Sequence, residues 1–391
     1  MTRSKIVAAV CGSALALMLL GAAPAAAWDR GQVQTLTVLP NLKSGQQSSV
    51  EGLTVGPDGN IYVPSFGFNT TGSTTGPADL FVIAPSGKVI RQVTLSGSPA
   101  ASPHMLGLGF NPFNRHLLVL DFGSGTTTGT ANVLDVDPQN GVFKVFGTIP
   151  TAAGSGTVPG INALTFDRSG NVYVSDSFQG IIWTAPPNCN GCQFKQWVNF
   201  PSLLGPGSGL TPPFGANGIE FSNDYSVMYV ADTAFHQIIQ IPVSESSGSD
   251  APLTPGTPSI LITGINAPDG IMVDRRGFIW ICANQQDEID VIDPKAAKNP
   301  LTGAPLAKVI AKLGDFNGLD QKGIAQGFLF PASLAFSADG GTLYVSNLTL
   351  FLPYAGAEPA IDSAWTLQVS GYTVSAIPAI IPPIGGGQGQ Q

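Results

Sequence analysis

A chain of 391 residues with 43% hydrophobic, 8% aromatic and only 11% charged side chains, together with 48 glycines and 32 prolines, has the composition of a turn-rich β protein. One closed β domain can absorb the whole length. The formal charge of −8, from 17 basic and 25 acidic residues, and the lack of any basic patch argue against a nucleic-acid partner.

Residues 1–27 read as a secretory signal peptide: Arg3 and Lys5 precede an apolar run over 6–20, and Ala25-Ala-Ala27 offers a small-residue cleavage site before Trp28. The run is too short to span a bilayer, and no second hydrophobic stretch accompanies it. The mature chain is therefore expected to be soluble and exported, periplasmic or secreted, with no membrane partner. Residues 28–378 are expected to form one domain, and 379–391, made largely of Ile, Pro, Gly and Gln, a disordered tail.

Residues 33–39 alternate like a strand that has no neighbour close in sequence. They fit the outer edge of the last blade of a ring, where they would join the two ends of the chain and remove an open sheet edge.

The stretch Glu51-Gly-Leu-Thr-Val-Gly-Pro-Asp-Gly-Asn-Ile-Tyr-Val then returns five times, beginning at Leu106, Asn162, Asn217, Asp269 and Ala332. Each copy has an alternating apolar run, a turn such as Pro-Asp-Gly or Ser-Gly-Asn, and a second run ending in Tyr-Val, Leu-Val or a close variant. Six hairpin units at a spacing of 52 to 63 residues indicate an all-β, six-bladed β-propeller. The outer strands are expected at 78–83 with 89–94, 131–135 with 143–148, 180–184 with 194–198, 237–242 with 259–262, and 288–292 with 307–310. Residues 68–77 and 203–213 read as surface loops.

Cys189-Asn-Gly-Cys192 is a pair that an oxidising compartment would join as a loop staple, with free thiols the alternative. Zinc is disfavoured because no further ligands lie nearby. Cys282, in Phe278-Ile-Trp-Ile-Cys, reads as inert core.

The first positions of the six repeats are Glu51, Leu106, Asn162, Asn217, Asp269 and Ala332, and on innermost strands they face one central channel. Any one Asn, Asp or Glu before a small residue is an ordinary turn or strand-start residue. Four at one register are a different matter, because carboxylates and amides converging in a narrow channel need hydrogen bonds or a cation to offset desolvation. Two carboxylates and two amide oxygens suit Ca²⁺ better than zinc or copper and leave room for water and a substrate oxygen, so a central metal channel is expected.

The run Glu51-Gly, Asn162-Ala-Leu-Thr-Phe, Asn217-Gly-Ile-Glu-Phe with Val-Met-Tyr-Val-Ala-Asp-Thr, and Pro268-Asp-Gly-Ile-Met-Val-Asp-Arg-Arg-Gly-Phe-Ile-Trp resembles the SMP-30/gluconolactonase/LRE superfamily, with its diisopropyl-fluorophosphatase-like and paraoxonase-like members. The resemblance implies that Glu51, Asn162, Asn217 and Asp269 hold a catalytic divalent metal, usually calcium, and that Asp269 is also base or nucleophile in hydrolysis of lactones, esters or organophosphates. Gly52 and Ala163 stand where paraoxonase-like members carry further acids, which argues against a second calcium.

His104, in Pro103-His-Met-Leu, resembles a paraoxonase segment whose histidine is a proposed base, and it is a second catalytic candidate; a hydrogen-bonded wall residue is the alternative. Phe66, Phe122, Phe178, Phe214, His236 and Phe330 are expected to line the pocket mouth, although phenylalanine in β proteins also packs between blades. Such a mouth, with few cations nearby, favours an apolar or aromatic lactone or ester as the small-molecule substrate. The competing functional class is a non-catalytic NHL-like binding or scaffold propeller with a structural cation. A quinone-dependent oxidoreductase fits less well, since three histidines and few arginines poorly serve such a cofactor.

Overall fold

The computed structural model describes residues 33–205, 214–246, 248, 251–303, 305–351, 353 and 363–381. Within these residues six small sheets of four or five strands form a six-bladed β-propeller; in the first five blades the strands follow in sequence order from the channel outward, and in the sixth the three inner strands do. The signal-like residues 1–27, most of 203–213 and the tail from 382 onward lie outside the described residues.

Closure follows the sequence expectation. Gln34–Val38 pairs antiparallel with Thr373–Pro378 as the outermost strand of the sixth blade, so the last sheet is built from both chain ends. The outer pairs fall where the alternation places them, with extensions: the fifth blade's run through Glu288–Lys298 and Pro305–Leu313. An added hairpin, Phe316–Leu319 with Ala325–Gly327, accounts for the longest step between repeats. Among the described residues three short α-helices, Phe122–Thr128, Pro201–Leu204 and Ser363–Thr366, and one 3₁₀ helix, Asn284–Gln286, interrupt the β structure. Ala379 and Ile381, at the head of the Pro/Gly/Gln tail, pack partly buried against the core between blades five and six.

In blades one, three and five the hairpin is locked by its own turn acid. Asp58 accepts from the Asn60 N–H at 3.1 Å and the Tyr62 hydroxyl at 2.8 Å; Asp167 takes the Asn171 N–H at 3.0 Å and the Tyr173 hydroxyl at 2.9 Å; Asp274 takes the Phe278 N–H at 3.0 Å and the Trp280 indole N–H at 3.2 Å. One side chain thus caps the turn and fixes the aromatic residue of the second strand, which packs between blades. At the far end of the second strand, Asp121 and Asp176 do the corresponding work. Asp121 caps the helix Phe122–Thr128 through the Ser124 N–H, and Asp176 accepts from the Gly160 N–H, the Gln179 side chain and the Trp183 indole.

Close approach of the inner strands sets the channel width. The residue after each repeat's first position is Gly52, Gly107, Ala163, Gly218, Gly270 or Ser333, always small. A Cβ at Gly52 would stand 2.0 Å from the Leu106 carbonyl oxygen, and one at Gly218 would stand 2.3 Å from that of Asp269. The strands also break register here, between Ile161/Leu164, Ala216/Ile219 and Pro268/Ile271. Such irregularities bend a strand and re-aim its side chains. Hydroxyls of the second strand satisfy the backbone this leaves unpaired: Ser175 accepts from the Ala163 N–H at 2.9 Å, and Ser346 from the Ser333 N–H at 3.1 Å. The fold therefore turns one residue per blade into the channel at a common depth.

Cys189 and Cys192 are joined as a disulfide. Its loop lies against the second blade, where Cys192–Gln193 pairs parallel with Gly147 and Thr148. Cys282 is free and fully buried.

Candidate metal centre and pocket

Glu51, Asn162, Asn217 and Asp269 come together around one cavity of about 60 Å³ at the upper part of the channel. All four are at least nine-tenths buried, with exposures of 8%, 6%, 5% and 6%. Leu106 lines the same cavity, and apolar Leu348 and Leu350 close one side. Among the described residues no group of three or more His, Cys, Asp or Glu side chains is placed to hold a metal. The ring has only two carboxylates, and its other oxygens come from amides.

The electrostatics of this arrangement are unbalanced. Burial raises the Glu51 carboxyl to about 8, opposed by a hydrogen bond with Asn162. Burial and the nearby Glu51 charge together push Asp269 well above the ordinary carboxylate range, against hydrogen bonds from Asn284 and Asn217. Two desolvated acids therefore share a site with no lysine or arginine on its walls.

Asn217 is held with its amide oxygen available. Thr233 fixes Asn217, accepting from its Nδ2 at 3.0 Å while donating to the Pro268 carbonyl at 2.7 Å. Asn217 Oδ1 is left buried without a hydrogen-bond partner, a costly state for an acceptor unless a cation or water meets it. Asn284 donates from Nδ2 to Asp269 Oδ2 at 3.0 Å and to the Pro331 carbonyl at 3.4 Å. Buried carboxylates beside an acceptor with nothing to accept fit an oxygen-preferring divalent cation. Thr233 and Asn284 were not legible as site residues from sequence. Their one signal is position, just past the ends of the second strands in blades four and five.

The aromatic expectations divide. Phe66 and Phe214 line the ring cavity. Phe122 and Phe178 do not reach it, but they link the two in an unbroken series: ring centroids lie 6.1 Å apart for Phe66–Phe122, 5.7 Å for Phe122–Phe178 and 5.4 Å for Phe178–Phe214. Phe330 is a correction. It is 1% exposed and packs in the core because its backbone, at φ 56°, is held by the Asp287 carboxylate accepting from its N–H at 2.7 Å.

The histidines also stand back from the cavity. His104 sits behind Phe66, its Nδ1 2.7 Å from the Phe66 carbonyl and its ring stacked on Phe68 at 4.5 Å. Burial lowers its pKa, favouring neutral imidazole. His236 is a second correction: it is exposed at the surface with φ 54°, and its Nδ1 accepts from the Ala267 N–H at 3.0 Å. It supports a cavity-lining residue rather than lining the cavity itself. Among the described residues no helix is long and apolar enough to cross a membrane.

Residues 213–313, which carry Asn217 and Asp269, match the family model described as the SMP-30/Gluconolactonase/LRE-like region. The family resemblance read from sequence thus holds over that stretch. Among solved structures, the chain is similar to a luciferin-regenerating enzyme at 14% identity, covering 89% of this chain and 95% of that one with a TM-score of 0.57. It is also similar to a calcium-binding protein, regucalcin, from Agrobacterium tumefaciens (16% identity, 88% and 95% covered, TM-score 0.52). A gluconolactonase from Xanthomonas campestris compares at 13% identity, with 89% and 90% covered and a TM-score of 0.52. At these identities the likeness shows the fold. No curated protein matches the chain.

Proposed function

We propose that the chain is an exported hydrolase of lactones or esters that depends on a divalent cation, Ca²⁺ by its donor set. The observation that carries this reading is the ring itself: two desolvated carboxylates around a cavity of about 60 Å³, with Asn217 Oδ1 turned in and unpartnered. The family match over 213–313 and the gluconolactonase and regucalcin folds support the same class. The leader-like residues 1–27 support export.

Glu51, Asn162, Asn217 and Asp269 would hold the cation, which when bound supplies Lewis-acid polarisation of a carbonyl. Beside a cation Asp269 is ionised, and it either takes the proton of the attacking water or attacks the carbonyl itself. Asn284 leaves it one direction in which to act, since Oδ2 is tied at 3.0 Å. His104 stands one layer back and serves the wall, with its Nδ1 engaged at Phe66. The apolar cavity and the arc from Phe66 to Phe214 suit an aromatic or alkyl lactone or ester better than a sugar phosphate, which would find no cation among the lining residues.

Elemental analysis before and after EDTA, beside Asp269→Ala, tests the metal, and a lactone and arylester screen tests the chemistry. Near-stoichiometric calcium, lost on chelation together with turnover, is the expected result. A protein that takes up no divalent cation would leave the non-catalytic binding propeller as the better account.

A further inference from the structure

The central channel has a second end. Past the ring positions the inner strands run on toward the face that carries the hairpin turns, and there the channel widens into a cavity of about 270 Å³. Among its lining residues only Glu220, three positions beyond Asn217, is charged. Glu220 Oε1 accepts from the Phe221 N–H at 2.8 Å and from the Thr165 hydroxyl at 3.2 Å. Those two bonds fix the side chain, and Oε2 takes no hydrogen bond among the described residues. Burial lifts this carboxyl to about 7.

The walls around it are apolar and partly aromatic. Phe110, Phe166 and Phe336, from blades two, three and six, line the cavity and are half-buried, while Gly109 and Ala335 keep the bore open. No lysine or arginine lines the space, and the nearby Arg168 is placed over the Tyr225 ring, 4.8 Å from its centroid. An anion meets a carboxylate here and is repelled. A bare metal ion finds one carboxylate and a few hydroxyls, short of the six to eight oxygens calcium takes. A cation with an apolar body satisfies both features, because the carboxylate favours positive charge and the phenylalanine side chains favour apolar surface.

We propose that this lower mouth binds a small organic ammonium, quaternary or primary, with Glu220 as its counter-charge and Phe110, Phe166 and Phe336 as its wall. The site is independent of the metal ring.

The test uses choline as probe and 3,3-dimethyl-1-butanol as its neutral isostere, each titrated calorimetrically into the calcium-saturated protein at pH 8, where Glu220 is ionised. Choline should bind one per chain with Kd of about 1 mM, and the isostere at least about tenfold more weakly. Glu220→Gln should weaken choline about tenfold, whereas Asp269→Asn should leave choline binding unchanged. Equal binding of choline and its isostere, no saturable choline binding, or full affinity in a folded Glu220→Gln protein would each overturn the proposal. The isostere comparison needs no variant, so it decides even if Glu220→Gln does not fold.

Discussion

Asn284 spans the boundary between the last two blades: its Nδ2 donates at 3.0 Å to Asp269 Oδ2 in blade five and at 3.4 Å to the Pro331 carbonyl in blade six. A carboxylate pinned at one oxygen presents the other in a single direction, which is how outer hydrogen bonds tune metal ligands. Asn284→Ala should therefore lower calcium affinity by about 10- to 100-fold while the metal-free protein still folds. Competition titration against a calcium chelator reads the first effect and circular dichroism the second. Unchanged affinity would mean that Asn284 only seals the blade boundary.

Part of this site was legible in the sequence and part was not. Glu51, Asn162, Asn217 and Asp269 stand out because a repeat places equivalent residues at equivalent depth, and the channel converts shared register into shared location. Thr233 and Asn284 stand one residue past the second-strand ends, where blade two carries Phe122 and blade three carries Ser177, whose hydroxyl donates to the Ala216 carbonyl at 2.7 Å. The repeat thus marks the position without revealing which blades turn it toward the ring. Phe330 and His236 depart from the sequence expectation for a related reason. Both have positive φ, at 56° and 54°, in connections whose course no alternation encodes.

The two functional classes separate at Asp269. Asp269→Asn keeps the side chain's shape and its partner Asn284 but removes the charge. In a hydrolase, turnover of an aryl lactone should fall by about 10²- to 10⁴-fold in a protein with an unchanged circular dichroism spectrum. In a binding propeller with a structural cation, the same substitution would lower the melting temperature and leave no turnover to lose. Kinetics and a thermal scan on one preparation distinguish them.

Gly52 tests the packing of the inner strands. A Cβ there would lie 2.0 Å from the Leu106 carbonyl oxygen and 3.1 Å from Leu108 Cδ2, so the strand must shift against the backbone of the next blade. Gly52→Ala should cost about 3 kcal/mol, whereas Ala163→Gly at the corresponding position of blade three should cost about 1 kcal/mol through backbone freedom. Urea unfolding of both variants gives the comparison. Equal small losses would show that the blades yield more easily than the contacts imply.

The raised ring carboxyls give the metal-free protein a definite pH dependence. Glu51 moves from 4.5 to about 8 on folding, so the folded state holds a proton that the unfolded chain releases earlier. Its stabilising contribution is complete below about 4.5 and is lost as pH climbs toward 8, and the rise of Asp269 acts in the same sense. Melting temperature in EDTA should therefore fall between pH 5 and 8, and saturating calcium should restore it most at pH 8 because metal binding displaces those protons. A flat profile in EDTA would show that water relieves the ring without protonation.

The aromatic arc predicts substrate preference in a way that separates wall from chemistry. Phe214 lines the ring cavity, its ring centroid 5.4 Å from that of Phe178, and it takes no part in the hydrogen bonds that hold Asn217 and Asp269. Removing its ring takes apolar surface from the mouth and leaves Asp269 where it was. Interactions made equally in the bound and reacting states appear in KM and leave kcat alone. Phe214→Ala should raise KM for an aryl lactone by about tenfold, in line with a lost apolar contact of roughly 1–3 kcal/mol, with little change in kcat and a smaller effect on a short aliphatic lactone. Steady-state kinetics on the two substrates provide the check. A matched fall in kcat for both would instead place Phe214 among the residues that shape the ring.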